Sequence, residues 1–270
     1  MDKKIKIYIA THKEYKFPIN NEIYKPIFVG RKEKNYLSDT TGDNISNKNK
    51  NFCELTALYW LWKNNLKEDY LGLVHYRRYF NFKEKPKKHI SSNELENELM
   101  YDNVKNIIKE KLETKKYDII LPKKKKIYKA IDDHYKMCHI EEDWNKLIEI
   151  ILKKYPNYQD VIKKTLKNEE LYAFNMFITS KDTFKNYMEW LFDILFEVEK
   201  NITISENSYQ ARVFGFMSER LFNLYIEANK LKVLEMPYTM LHDSKIDALK
   251  HYYFDWKGEI KNKIKKKFKK

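Results

Sequence analysis

The chain opens on an alternation. Ile5, Ile7 and Ile9 fall at every second position between Lys4 and Ala10, the period of a strand, and the run ends in the polar step Thr11-His12-Lys13, where a strand hands over to a loop. Tyr24 to Gly30 gives a second, weaker strand. From Arg31 to Lys50 the chain is polar, a loop of a length that compact domains usually keep for function. Leu55, Leu58, Tyr59, Trp62 and Leu66 recur at helical spacing and predict a helix from Asn51 to Leu66, with Asn51 and Glu54 placed as a capping pair. The apolar string Tyr70 to Tyr76 predicts a buried strand, and Leu95, Leu99, Ile107, Ile108 and Leu112 a broken helical region after Ser92. Tyr117 to Leu121 is a further strand, stopped by Pro122. In the second half, Trp144, Leu147, Ile148, Ile151 and Leu152 mark a helix ended by Pro156. Leu171 to Thr179 reads as one strand, Phe184 to Leu195 and Tyr209 to Ala228 as helices, and Lys232 to Pro237 as a last strand. Strands alternating with helices predict an α/β layered fold with a helix-rich C-terminal half.

Composition narrows the function. With 43% hydrophobic and 34% charged residues the 270-residue chain has a globular make-up, and no apolar run reaches the length of a bilayer span. The balance of 53 basic over 39 acidic residues, +14, points to anionic partners: nucleotides, nucleic acid or a membrane surface. Cys53 and Cys138 are the two cysteines and suit a reducing compartment. Five glycines, at 30, 42, 72, 215 and 258, fall at no spacing that makes a dinucleotide fingerprint, a P-loop or a nucleophile elbow. Residues 257–270 differ in kind, with eight lysines, one glutamate, and Ile260, Ile264 and Phe268 four apart. As a helix they would set apolar groups on one side of a cationic body, the pattern of a segment lying on an anionic membrane; as a solvated tail they need no partner.

Four constellations carry possible chemistry. His75-Tyr76-Arg77-Arg78-Tyr79 follows the buried strand, and two adjacent guanidinium forks at a strand's carboxyl end suit a diphosphate; solvated arginines beside a packing aromatic are the plain alternative. Gly42-Asp43-Asn44-Ile45-Ser46 offers short polar groups for a sugar or nucleotide, or simply a turn. Asp132-Asp133-His134-Tyr135 pairs carboxylates with an imidazole, as a general base or a metal ligand set requires, and equally fits the polar start of a helix. Arg212 and Glu219 are seven apart on a predicted helix, with Arg220 following, and a structural ion pair accounts for them as well as a site does.

Read in order, these strings are similar to one family. Thr11-His12-Lys13, Gly42-Asp43-Asn44-Ile45-Ser46, Phe52 to Trp60 (FCELTALYW), His75 to Phe80 (HYRRYF), Asp133-His134-Tyr135, Asn175-Met176-Phe177, and Arg212 through Gly215-Phe216 to Glu219-Arg220-Leu221 together resemble the bacterial capsular and exopolysaccharide glycosyltransferases catalogued as domain of unknown function 4422. The resemblance spans about residues 4 to 237. It implies a type-A, Rossmann-like mixed sheet flanked by helices over residues 1–256, followed by the basic tail 257–270. It further implies transfer of a sugar from a nucleotide-sugar donor, UDP-linked and in some members UDP-galactofuranose, to a growing, lipid-linked surface polysaccharide. The expected place is cytoplasmic, peripheral at the inner face of the membrane through the tail.

On that reading Thr11, His12 and Lys13 meet the nucleotide, Asp43 and Asn44 the donor, and His75, Arg77 and Arg78 the diphosphate. Asp133 is the expected base, with Asp132 second and His134 orienting it; Asn175, Arg212, Glu219 and Arg220 support the site or the acceptor. Type-A enzymes commonly hold Mn or Mg with Asp-x-Asp. This sequence has none, so arginine and histidine are expected to replace the metal, with Asp132-x-His134 as the alternative metal site. Two rival readings remain. A nucleic-acid-binding protein is suggested by charge and aromatic content, although no recognition module is evident. A non-catalytic scaffold of polysaccharide assembly is the other.

Overall fold

The computed structural model describes residues 3–18, 23–64, 67–99, 103–114 and 116–255; the tail 257–270 lies outside them. In chain order the strands are β1 (Ile5–Thr11), β2 (Tyr24–Phe28), β3 (Leu37–Ser38), β4 (Tyr70–His75), β5 (Arg78–Phe80), β6 (His89–Ser91), β7 (Ile119–Pro122), β8 (Lys125–Lys126), β9 (Glu170–Leu171), β10 (Phe177–Ser180), β11 (Val233–Met236) and β12 (Tyr238–His242). The α-helices are α1 (Asn49–Phe52), α2 (Leu55–Lys63), α3 (Leu95–Leu99), α4 (Val104–Glu113), α5 (Ile131–Cys138), α6 (Glu141–Lys154), α7 (Gln159–Thr165), α8 (Lys181–Asn201) and α9 (Val213–Ala228). Residues 245–255 are also helical.

The main sheet runs β11-β7-β10-β4-β1-β2-β3. β4, β1, β2 and β3 are mutually parallel, and β10 is antiparallel to both β4 and β7. Both faces are covered, which is why the strand residues are apolar on both sides. Tyr8, Ala10, Leu71, Leu73 and Phe177 pack under α2, α6, α8 and α9, while Ile5, Ile7, Ile9, Val74 and Ile178 face the smaller layer built on Leu95, Leu99, Ile108 and Leu112. Gly72 lets β4 and β10 approach closely, since a Cβ there would sit 2.6 Å from the Phe177 carbonyl oxygen. This is the expected mixed sheet flanked by helices.

Two local expectations are corrected. The helix expected to run unbroken from Asn51 breaks at Cys53, whose φ of 52° ends α1 before α2 begins. Asn51 caps nothing: its amide donates to the Ala211 carbonyl at 2.8 Å. The single strand expected over Leu171 to Thr179 is two short ones. Phe174 and Asn175 between them are left-handed, with φ of 78° and 50°. Tertiary hydrogen bonds to both residues, given below, override the local preference for extended chain.

Candidate active site

The reversed direction of β10 decides what meets what. Because β10 runs antiparallel to its neighbour β4 and enters the sheet where β4 leaves it, the Phe174-Asn175 turn lies beside His75, and the His75 ring nitrogen Nε2 contacts the Phe174 carbonyl. β4 then folds back through Tyr76 and Arg77 into β5, with His75 paired opposite Arg78. Thr11 ends the neighbouring β1, where its hydroxyl bonds the Lys13 carbonyl and accepts from the Lys13 amide, closing a side-chain turn. The result is a cleft of about 790 Å³ at the carboxyl ends of β1 and β4, where open α/β sheets place ligands.

The two arginines face this cleft. Arg78 lies 4.5 Å over the Phe174 ring, and Arg77 lies over Tyr15 and Tyr76 while donating to the exposed Asp243 at 2.9 Å. Both have a buried Nε without a protein hydrogen-bond partner, so donation into the cleft falls to their terminal guanidinium nitrogens. Arg212, exposed on the opposite wall, donates from Nε to the Cys53 sulfur at 3.4 Å. The break at Cys53 brings that sulfur against α9, where a Cβ on Gly215 would lie 3.1 Å from it. Burial and the neighbouring Glu54 push the Cys53 thiol up to about 11, so it is a neutral packing group.

Two carboxylates enter the cleft, Glu54 and Glu219, and the left-handed turn holds both. The Asn175 amide nitrogen, itself buried, donates to Glu54 Oε1 at 2.7 Å and to Ser218 Oγ at 2.8 Å. The Phe174 N–H donates to Glu219 Oε1 at 3.0 Å, and Arg220 Nη1 donates to Oε2 at 3.2 Å. Burial raises the Glu219 carboxyl above its usual range, opposed by the Arg220 charge. His12, at the mouth, is lowered by burial and by the charges of Lys13, Arg77, Arg212 and Arg31, which holds it neutral near pH 7.

The donor set does not fit a divalent cation. Lys50, Arg77, Arg78 and Arg212 line the cleft, and its two carboxylates are already engaged by an amide, a backbone N–H and a guanidinium. Among the described residues, no three His, Cys, Asp or Glu side chains are arranged to hold a metal.

The family described as Domain of unknown function (DUF4422) matches residues 6–230. The chain belongs to it. A solved structure, "WbbM bifunctional glycosytransferase apo structure", superposes with a TM-score of 0.81 at 37% sequence identity over 88% of this chain. The match takes in 45% of that protein's chain, so the present chain spans less than half of it. No curated protein matches.

The family strings divide between cleft and scaffold. Thr11, His12, His75, Arg77, Arg78, Arg212 and Glu219 line the cleft, and Asn175 lies behind it. Lys13 sits at the rim, 5.6 Å over Tyr15 and 5.7 Å over Tyr76. Asp43 and Asn44 are not in the cleft lining. Asp43 accepts from Tyr59 at 3.2 Å, and Asn44 closes a turn with Gly42 and Ser46. Asp132 and Asp133 also lie outside it. Asp132 accepts the Trp144 indole N–H at 2.7 Å and pairs with Lys136, whereas Asp133 is exposed on α5. His134 contacts Arg220 at 3.4 Å, and Arg220 covers Tyr135, so this string buttresses the Glu219 wall from behind. Arg212 and Glu219, expected as a possible ion pair, instead take Cys53 and Arg220 as partners. Sequence reasoning passed over Glu54 because its spacing from Asn51 read as a cap. It gave no role to Phe174, His242 or His251, which also line the cleft; only the fold brings those three to it.

Proposed function

We propose that this chain is a glycosyltransferase that takes a sugar from a nucleotide-sugar donor, UDP-linked, and passes it to a growing surface polysaccharide. The observation that carries the reading is the convergence in one cleft of three arginines and a carboxylate of raised pKa, on a fold shared with a protein described as a bifunctional glycosyltransferase. Such transfer needs an anion-binding locus for the departing diphosphate and a base for the acceptor hydroxyl.

Arg77, Arg78 and Arg212 carry the first role. Their forks neutralise the charge that grows on the nucleotide as the glycosidic bond breaks, and the half-buried setting of Arg77 and Arg78 strengthens their contacts over those made in open water. Thr11 and His12, with Lys13 at the rim, border the nucleotide, and His75 positions the Phe174 turn. Glu219 is the base in an inverting transfer: its raised pKa makes it a better proton acceptor than an ordinary carboxylate, and Arg220 keeps it ionised until the hydroxyl arrives. The Phe174 N–H and Arg220 hold its geometry, and the bonds from Asn175 to Glu54 and Ser218 fix the turn that carries Phe174. The resemblance, in which some members use UDP-galactofuranose, makes that sugar the first donor to test. The charge of residues 257–270 suits an anionic membrane, where a lipid-linked acceptor would reside.

The deciding experiment is a thermal-shift comparison of UDP, GDP, CDP and dTDP, followed by donor hydrolysis with and without EDTA. A ligand that binds the native state alone raises its stability with concentration. UDP-specific stabilisation and EDTA-insensitive turnover are expected. No stabilisation by any nucleoside diphosphate, with salt-sensitive binding of DNA or RNA instead, would remove the reading.

A further inference from the structure

A second concavity lies on the other side of Phe174. It has a volume of about 600 Å³ and is walled by Lys88 and Lys123 to Lys126, by the aromatic rings of Tyr128, Tyr238 and Phe254, and by Pro86, Pro237 and Asp255. Asp255 pairs with Lys88 at 2.5 Å and contacts His89 at 2.9 Å, and Lys124 lies 3.9 Å from Glu170. Among the described residues, Lys123, Lys125 and Lys126 face no carboxylate at ion-pair distance, so the groove keeps a net positive charge. Lysines set among aromatic rings suit a ligand with an anionic head and an apolar body.

Two further observations define that ligand. Phe174, which lines the cleft, also lies beside two residues of the groove: Arg78 of the cleft lies 4.5 Å from its ring, while Lys125 and Tyr238 of the groove lie 6.0 and 5.3 Å away. The Phe174 ring thus stands between Arg78 of the cleft and Lys125 and Tyr238 of the groove. At its outer edge the groove meets residues 245–255, whose Ile246, Leu249 and Tyr253 share one helical face and, with Tyr252 and Phe254, are each more than half exposed. Five large apolar side chains exposed on eleven residues form a patch that a solvated helix has no reason to keep.

We propose that the groove is the acceptor subsite: it takes the phosphate head of a single amphiphile, a phosphate or diphosphate ester of a hydrocarbon chain, whose apolar body lies along residues 245–255. The sugar end of that carrier then reaches the cleft past Phe174. The proposal rests on the glycosyltransferase reading above. It goes beyond that reading by giving the acceptor a site and a head-group chemistry.

The test uses the full chain and three probes by titration calorimetry: farnesyl diphosphate, inorganic pyrophosphate, and vesicles of phosphatidylcholine with phosphatidylglycerol. Farnesyl diphosphate is expected to bind about tenfold or more tighter than pyrophosphate, the gain coming from buried hydrocarbon, and saturating UDP should not displace it. Lys125→Glu with Lys126→Glu should weaken it about tenfold or more. Phe254→Ser should weaken farnesyl diphosphate but not pyrophosphate. Thermal stabilisation by UDP reports that each variant is folded. Displacement of farnesyl diphosphate by UDP, equal binding by the lysine variant, or binding to the vesicles without binding to farnesyl diphosphate would each overturn the groove. A chain that binds farnesyl diphosphate there yet responds to no nucleoside diphosphate would overturn the donor reading instead, and the acceptor role with it.

Discussion

Two polar strings compete in this molecule, and the fold treats them differently. His75-Tyr76-Arg77-Arg78 and Asp132-Asp133-His134 are equally plausible as chemistry on paper. The first ends a central parallel strand, so its side chains open into the cleft. The second begins α5, where Asp132 is spent on the Trp144 indole and Lys136 and Asp133 points to solvent. Residue type is the same kind of evidence in both cases; position relative to the sheet's carboxyl edge separates them. On the proposed function, the carboxylate that takes the place expected for Asp133 is Glu219, one helical turn along from the Gly215 that lies against Cys53.

Breaking this contrast is most direct at the base. Glu219→Gln should lower turnover by roughly a hundredfold or more while UDP stabilisation persists, and Asp133→Asn should leave both unchanged. Because burial raises the Glu219 carboxyl, its active ionised form is lost as pH falls through a range above that of an ordinary glutamate. The acid limb of the pH–rate profile should therefore lie higher than usual and vanish in Glu219→Gln. The reverse pattern, with Asp133→Asn inactive and Glu219→Gln active, would exchange the two regions' roles. Next in size, Arg78→Ala should cost roughly a hundredfold in turnover through lost stabilisation of the leaving diphosphate, read with donor hydrolysis at saturating donor. Lys in its place should recover only part, since a point charge cannot reproduce the fork.

How far the sequence revealed this site depends on which feature is asked for. β1 and β4 were legible from alternation and from an apolar run, and with them the strand ends that carry Thr11, His12 and the arginine pair. What periodicity could not show was the left-handed turn at Phe174-Asn175. Phe174 is ordinary in a strand; Asn175 is depleted there and tolerates the left-handed region, but alone among apolar neighbours it does not announce a turn that the bonds to Glu54, Ser218 and Glu219 fix. The same holds at Cys53, where packing of Phe52 on Phe214 at 4.2 Å and of Cys53 on Gly215 overrides helical spacing. Glu54 was misread for that reason. Local spacing reports local structure well, and it is silent where two distant segments share the decision.

The turn is therefore the place to sharpen the contrast further. Asn175→Ala removes two hydrogen bonds from a buried amide and leaves an alanine at positive φ, so about 2–3 kcal/mol of stability should be lost in denaturant melts. Asn175→Gly relieves the backbone and not the bonds. If the turn serves the site, glycine should recover part of the stability and little of the turnover. Smaller still is Asp132→Asn, expected to cost about 1 kcal/mol through a weakened contact to the Trp144 indole and Lys136, with no change in kcat.

The mildest test concerns His139, which follows α5 and stacks 4.1 Å from Phe216 of α9. Burial, with the Arg220 charge beside it, lowers this imidazole from 6.5 to about 4. Between those two values the unfolded chain takes up a proton that the folded chain refuses, so stability falls as pH drops through that window. Among the described residues the imidazole makes one polar contact, to Gln210 Oε1 at 3.2 Å, and otherwise packs as a ring. His139→Phe keeps the stacking and removes the titration, so the variant should lose less stability than the parent between pH 6.5 and pH 4. At neutral pH the two should unfold at nearly the same denaturant concentration. A change in turnover without a change in that acid slope would mean that the α5 string takes part in catalysis after all, whereas a shallower slope with unaltered turnover places it where the geometry does, behind the wall that holds Glu219.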